Sequence, residues 1–376
     1  MNEAHRMIRV VELFAGIGAQ RMALTLAGIP YEVVAISEID RHALASYEAI
    51  WGDCPNLGDI RDIEGLPSCD LVTYSFPCQD LSIAGKREGM AEGTRSGLVW
   101  EVVRLLEAMP DKPEWLLMEN VPLVLSSPLW GVLVGRLQSM GYHNRWANLD
   151  SSDFGSAQKR VRTFMVSRLG KEPPFIPVSN PCAVKICLWD IMESTRDERF
   201  VKSIPLDQIK WRMPFNPVAG ESIPCASIDK ETFYSKAMLY SSSSSSPTVR
   251  KDHGRNSNIK VIADWNRCEG IDMANRLYSS SSSSPTILAR GGGGRDIKVM
   301  NSVGESLKVD ILTPLECWRL MGQPYWAYKK ASAVCSETQL YNLAGNSIVV
   351  EVLESIFRAM FPASSLRQLT LEEVAA

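Results

Sequence analysis

The cysteines of this 376-residue chain form no recognisable pattern. There are nine, an odd number, with no Cys-x-x-Cys pair, and the closest two, Cys182 and Cys187, have no histidine nearby. Neither a zinc centre nor a disulfide framework is supported, and no metal is expected. A long uninterrupted apolar run is also lacking. The first apolar segment is broken by Glu12 and Arg21, which fits neither a signal peptide nor a spanning helix. A cytoplasmic protein with no membrane partner is expected. Compositional extremes are missing too: hydrophobic residues make up 45% and charged residues 22% of the chain, so disorder or a fibrous fold is not indicated for the whole. The length suggests roughly two to three domains.

The net charge of −3 conceals an asymmetry. Residues 171–334 carry 22 Lys and Arg against 17 Asp and Glu, while the remainder carries 18 against 26. A basic segment set within an acidic chain points weakly to a polyanionic partner for that segment.

The regular part of the chain comes first. Ile8 to Leu13 is an apolar, β-rich run that flows into Phe14-Ala15-Gly16-Ile17-Gly18, after which Ala19 to Ala27 has helical character and Gly28 can end it. Two glycines permit a tight turn and a close approach to a ligand. The third glycine of the dinucleotide fingerprint is absent, so the turn alone specifies no cofactor. Val33 to Ile36 then ends at Ser37-Glu38, where an acid twenty residues beyond Gly18 can accept hydrogen bonds from ribose hydroxyls. Without the preceding turn, Glu38 would read as a solvated loop acid. Asp59-Ile60, in a polar loop, can reach a base, although its spacing says little.

Leu71 to Tyr74 has the length of a buried strand and Pro77 ends it, which places Cys78 on a loop at a strand's C-terminal end. A cysteine is more often a small buried hydrophobe. Ser75, Gln79, Asp80 and Ser82 are poor company for a core residue and favour chemistry. Gly85 to Gly97 reads as a surface loop able to close over a substrate. Leu98 to Met109 carries a helical apolar stripe. Trp115 to Met118 is another buried strand, putting Glu119 on the edge that Cys78 occupies; the alternative role for Glu119 is to cap the following helix, Leu129 to Met140. Arg145 to Leu149 and Arg162 to Val166 read as strands around a polar turn. Gln158, Lys159, Arg160 and Arg162 would present alternate basic side chains on one strand face, suited to a phosphate or carboxylate or merely to solvent.

Beyond about Pro173 prolines and short β-like runs replace this alternation, which marks a boundary. Residues 240–262 align without gaps to 278–300, with 13 identities in 23, including Tyr-Ser₆-Pro-Thr and Ile-Lys-Val. Each copy reads either as a strand-loop-strand unit or as flexible serine loops between short strands. Leu312-Thr313-Pro314-Leu315-Glu316 opens a helix containing Arg319, and Gly345-Asn346-Ser347 leads into a final amphipathic helix.

Taken in this order, the segments around Gly16, Cys78, Glu119, Arg160, Thr313 and Asn346 resemble the DNA (cytosine-5)-methyltransferase family. The resemblance covers both ends of the chain, with Ala157 standing where the family usually has proline. It implies an α/β fold: a Rossmann-like S-adenosylmethionine-dependent methyltransferase sheet with a smaller, mostly β and irregular target-recognition domain. Residues 1–172 and 335–376 would form a discontinuous catalytic domain, and 173–334 the recognition domain. It further implies catalysis by Cys78, Glu119, Arg160 and Arg162. S-adenosylmethionine would contact Phe14, Ala15, Gly16, Ile17, Gly18, Glu38, Ile39, Asp59, Ile60, Pro77, Asn346 and Ser347. Double-stranded DNA would meet Gln79, Ser82, Arg255, Arg290 and Arg295. A monomer is expected, together with a role in restriction-modification or phage self-protection, where a cognate endonuclease would act separately. The alternatives are an RNA cytosine-5 methyltransferase and a non-catalytic nucleic-acid-binding homologue.

Overall fold

The computed structural model describes residues 7–77, 96–181, 183, 186–195, 197–205, 209–211, 224–225, 239–240, 261–265, 276–278, 284, 286, 298–303 and 306–362. Its first half is a six-stranded sheet built from β1 (Ile8–Leu13), β2 (Tyr31–Ser37), β3 (Leu71–Tyr74), β4 (Trp115–Asn120), β5 (Tyr142–Asp150) and β6 (Val161–Leu169). The spatial order is β2-β1-β3-β4-β6-β5. β1 to β4 run parallel, and β6 inserts antiparallel between β4 and β5. The order reverses at β1, so the crevice for a ligand opens at the carboxyl ends of β1 and β3.

Period-two alternation supplies both faces of this sheet. Val10, Leu71, Trp115, Leu117, Phe164 and Val166 share one apolar cluster. Their immediate neighbours Val11, Val72, Leu116, Met118 and Met165 belong to the other. Both faces are covered, which is why these strands read as near-continuous apolar runs. The second cluster takes α3 (Val99–Ala108) and α4 (Trp130–Ser139). The first takes α1 (Ala19–Ala27) and the last helix, Val350–Met360, whose Leu353, Ile356 and Phe357 are fully buried. Each such side chain stabilises by roughly 1.5–3 kcal/mol. The elements expected from sequence are present, with β5 and β6 longer and Glu119 inside β4 rather than beyond it.

Two helices the sequence did not suggest, Tyr325–Ser332 and Glu337–Asn346, follow the helix Pro314–Leu320. They pack on α2 (Arg41–Trp51): Trp51 meets Trp326 edge-on at 5.7 Å, and Lys330 Nζ donates to the Ile50 carbonyl at 3.0 Å. Leu312, Trp318, Met321 and Ala331 lie in the same core cluster as α1. The stretch before residue 335 thus packs with the first lobe, earlier in the chain than the boundary expected there.

The segment between the lobe's two parts forms a second six-stranded sheet. It comprises β7 (Val201–Pro205), β8 (Ile209–Trp211), β11 (Val261–Trp265), β12 (Arg276–Tyr278), β13 (Lys298–Val303) and β14 (Ser306–Ile311), while β9 (Pro224–Cys225) and β10 (Leu239–Tyr240) make a separate ribbon. The two repeat copies are not equivalent within it. Tyr278 pairs with Val299 at the far end of its own copy and with Val261 at the end of the other. Tyr240, its counterpart, pairs with Pro224 in the ribbon.

Burial leaves a titratable mark on the last helix. Glu351 Oε2 is buried with no hydrogen-bond partner among the described residues, pressed where Gly322, at φ +72°, has no Cβ. Desolvation pushes this carboxyl from its ordinary 4.5 up to about 7. The folded chain therefore keeps a proton that the unfolded chain releases, and stability should fall as pH rises from about 4.5 to about 7, then level off. The linkage is worth at most on the order of 3 kcal/mol. Thermal midpoints of the parent and Glu351→Gln at pH 5 and 8 check this: the drop should be smaller in the variant, and equal drops would remove Glu351 as its source.

Candidate active site

The first turn after β1 is under conformational constraint. Phe14, not a glycine, adopts φ +58°, a region most side chains avoid, and Gly16 also sits at +58°. A Cβ on Gly18, at φ +79°, would meet Trp51 Nε1 at 2.6 Å and Tyr47 at 2.9 Å, so only glycine lets α1 start so close to α2. Among the described residues a Cβ on Gly16 would meet nothing within 4 Å, which leaves that side of the turn open to them. The Gly16 N–H donates to Glu38 Oε2 at 2.8 Å, and Glu38 Oε1 accepts from the amides of Ile39 and Asp40 at 2.9 and 2.8 Å. Ile39 itself is 70% exposed. An open turn, a carboxylate with spare lone pairs and an exposed apolar side chain fit a nucleoside bearing a short polar tail.

A residue not singled out in the sequence joins these loops. Asn56 Oδ1 accepts from the amides of Glu38 and Gly58, both at 3.1 Å, while its Nδ2 donates to the Glu38 carbonyl at 3.0 Å. Asp59 follows directly; its carboxylate takes Arg61 Nε at 3.0 Å, and Arg61 holds it below the usual carboxylate range. The side chains of Ile60, Ala15 and Ile17 are buried, so a ligand in this crevice would meet their backbone.

The register puts the remaining candidates on one rim. Tyr74 lies level with Met118, and Met118 with Met165, so Ser75, Glu119 and Phe164 occupy the next row. Alternation then places Ser75, Glu119 and Arg162 on the same face of three adjacent strands. Arg162 Nε lies 3.2 Å from Glu119 Oε1, with both side chains mostly buried. Burial pushes the Glu119 carboxyl up. Arg162, Arg160 and a hydrogen bond to Ser75 pull it down without cancelling that rise. Ser75 Oγ also accepts from Gln20 Nε2 at 3.4 Å, tying the rim to α1.

Asn120 governs the approach to Cys78. Its Nδ2 donates to the Phe76 carbonyl at 3.0 Å and its Oδ1 accepts from the Val121 amide at 2.8 Å. The chain leading out of β3 is thereby pinned two residues before Cys78. The signal for Asn120 was its place beside Glu119, but the pattern gave it no role. Pro77 is half-buried, whereas Cys78, Gln79, Ser82 and most of the Gly85 to Gly97 loop lie outside the described residues, as do Arg255, Arg290 and Arg295.

The basic motif does not present its cations together. Lys159 Nζ turns to Asp150 at 3.1 Å, and Arg162 to Glu119. Arg160, 5% exposed, donates through Nη2 to the carbonyls of Gly345 at 3.1 Å and Ser347 at 3.0 Å. The expected single basic face is replaced by three separate attachments, because each cation has an acceptor on a different element. Arg160 brackets Asn346, which is left exposed between two buried residues; Ser347 is 7% exposed. Gln158 is fully buried, and among the described residues its side-chain carboxamide has no hydrogen-bond partner.

The Thr313 segment serves the inserted region. Thr313 and Glu316 form a reciprocal cap, with Thr313 N donating to Glu316 Oε2 at 2.8 Å. Glu316 Oε1 also accepts from the Glu193 amide at 2.7 Å, and Arg319 Nη1 donates to the Ile191 carbonyl at 2.8 Å. Among the described residues no cluster of three or more His, Cys, Asp or Glu could hold a metal ion, and no helix is long and apolar enough to cross a membrane.

Comparison with known proteins bears on this rim. The family model for C-5 cytosine-specific DNA methylase matches residues 8–362. The chain is 30% identical to the type II methyltransferase M2.ScrFI of Lactococcus lactis subsp. cremoris, over 94% of this chain and 99% of that one. It is 31% identical to the orphan methyltransferase M.SssI of Spiroplasma monobiae, over 68% and 82%. Among solved structures, the Dnmt2 methyltransferase of S. pombe superposes with a TM-score of 0.64 at 18% identity, covering 95% of this chain and 98% of that one; this likeness shows the fold. An α/β methyltransferase sheet, with its polar residues gathered on one carboxyl edge, and these matches along nearly the whole chain make it a member of the C-5 cytosine-specific DNA methylases.

Proposed function

We propose that this enzyme methylates C5 of a cytosine turned out of duplex DNA, with Cys78 as the nucleophile and S-adenosylmethionine as the methyl donor. The observation that carries the reading is the Glu119–Arg162 pair, buried on the rim one row beyond the strand that leads to Cys78. The open Gly16 turn with Glu38 and Ile39 would hold the cofactor, Asn346 closing the crevice from the C-terminal side. When bound there, S-adenosylmethionine supplies an electrophilic sulfonium methyl group.

The chain's own residues must activate the ring. Cytosine C5 is a poor nucleophile until a thiolate adds to C6. The Cys78 sulfur would form that bond, the C5–C6 π electrons moving towards N3. Glu119, whose burial favours the protonated form, would donate a hydrogen bond to N3 and stabilise the charge that develops there. Once C5 carries the new methyl group, loss of its proton to a base returns electrons to the ring and expels the thiolate. Arg162, beside Glu119, limits how far that carboxyl is raised and offers donors to the base. Arg160 acts at one remove, by fixing the segment around Asn346. C6 is unreachable inside a duplex, so the base must be flipped, which costs a few kcal/mol. We assign the inserted segment, from about residue 173 to the strand ending at Ile311, to target recognition. The modification would protect DNA in a restriction-modification or phage setting, the enzyme acting as a monomer and any endonuclease separately.

Replacing Cys78 with serine should abolish methyl transfer to duplex DNA while DNA and cofactor binding persist; near-normal turnover would sink the mechanism. A duplex carrying 5-fluorocytosine should trap the parent as a covalent adduct, because fluorine cannot leave as a proton.

Glu119→Gln should lower the rate roughly 10²-fold or more with a smaller change in cofactor affinity. In the parent, the rate should fall as pH rises through the elevated Glu119 pKa, since the donating form is lost. That fall should vanish in Glu119→Gln. A matching loss of S-adenosylmethionine binding would make Glu119 structural instead.

Arg255→Ala and Arg295→Ala should each impair methylation but leave S-adenosylmethionine binding intact, and at least one should relax sequence choice in a randomised duplex library. Parental sites methylated at parental rates by both variants would show that these arginines read nothing.

A further inference from the structure

The polar turn before β6 is closed by its own side chains and then offers its outer backbone to the repeat. Ser151 Oγ donates to the Gln158 carbonyl at 2.6 Å and accepts from the Arg160 amide at 3.1 Å. Ser156 Oγ accepts from the Gln158 amide at 3.1 Å and donates to the Leu320 carbonyl at 3.1 Å. The turn is thus tied to the end of the helix Pro314–Leu320. Against it lies the end of the second serine run. Ser284 N donates to the Ala157 carbonyl at 2.7 Å, Lys159 N donates to the Ser284 carbonyl at 2.8 Å, and Thr286 Oγ1 donates to the Lys159 carbonyl at 3.0 Å. Ser284 is 0% exposed and bridges Gln158 in parallel register.

We infer that Ser284 and Thr286 are positioning residues: the end of the second serine run is a clip that seats the inserted sheet on the arginine turn, and the first run does not share this task. The inference rests on the reading of the inserted segment as the part that recognises DNA. Two observations separate the copies. The Lys159 N–H is a single donor and Ser284 occupies it, so Ser246, the counterpart of Ser284, is excluded while the clip is closed. The flanking strands also differ. Tyr278 and Val299 pair side by side in one sheet at the two ends of the second copy, whereas Tyr240 lies in a separate ribbon from Val261. The clip and the catalytic rim share a scaffold, because Arg160 follows Lys159 directly and Arg162 pairs with Glu119. A sheet seated there would present bound DNA at a fixed distance from Glu119. Identical serine runs would then do different work: one copy anchors, and the other is free to diverge at its tip.

The test uses the full-length protein. Thr286→Val removes the donor hydroxyl at nearly constant shape, Thr286→Ser keeps it, and Ser284→Pro deletes the N–H that Ala157 accepts. Hydrogen exchange of the peptide carrying Lys159, measured without DNA, reads the clip independently of catalysis. Exchange should be faster in Thr286→Val and Ser284→Pro, and parental in Thr286→Ser and in the matched first-copy variant Thr248→Val. With duplex substrate, KM for DNA should rise about three- to tenfold in the two loosened variants, the scale of one lost hydrogen bond, with kcat and S-adenosylmethionine binding held. Parental exchange in both loosened variants, or equal loosening by Thr248→Val, would overturn the clip. If the parent methylates no duplex, the activity reading fails while the exchange result still decides the clip.

Discussion

A buried guanidinium cannot release its proton, so its position dictates where acceptors must be. Arg160 is that constraint here. It is 5% exposed and reaches the carbonyls of Gly345 and Ser347, which lie 185 and 187 residues further along the chain. Each of these charge-assisted hydrogen bonds is worth about 1.5–3 kcal/mol. The chain must therefore return to the first sheet whatever happens between, and everything from about residue 173 to Ile311 becomes an excursion closed at both ends. The final helix then completes the apolar layer over Val10 and Leu117.

This return explains what the sequence made visible and what it did not. The strands of the first sheet were legible because burial on both faces demands unbroken apolar runs, and the glycine turn because Gly16 and Gly18 adopt positive φ. The destination of Arg160 was not legible: strand alternation assigned it to the same basic face as Arg162, but its partners come from the far end of the chain. Glu337–Asn346 escaped notice because its apolar stripe is short and it ends in Gly345-Asn346, which reads as a turn. Packing also reaches across the expected boundary at 335, since Trp318 and Met321 share a core cluster with α1. The repeat was obvious as sequence, yet identical residues paired differently, since Tyr240 and Tyr278 met different neighbours.

At the rim, burial and charge act against one another on Glu119. An isolated buried acid would stay protonated over a wide range, and an exposed pair with arginine would stay ionised. Glu119 has both influences, and burial prevails. Such a balance suits a group that must donate to a ring nitrogen and then recover its proton. It also makes the spacing between β4 and β6 chemically important, because Arg162 acts on Glu119 only while the two strands hold register, Glu119 opposite Phe164.

The same register connects chemistry to recognition. Lys159, Arg160 and Arg162 leave one short stretch of chain in three directions: to Asp150 and the arginine turn, to the C-terminal segment, and to Glu119. Ser151 holds that stretch closed through both lone pair and proton. The Ala157–Lys159 backbone ends only three residues before Arg162, the residue beside the proposed general acid. A recognition sheet attached at that turn would share one rigid frame with Glu119. Discrimination between DNA sequences would then act through the placement of the target base, rather than through a separate switch.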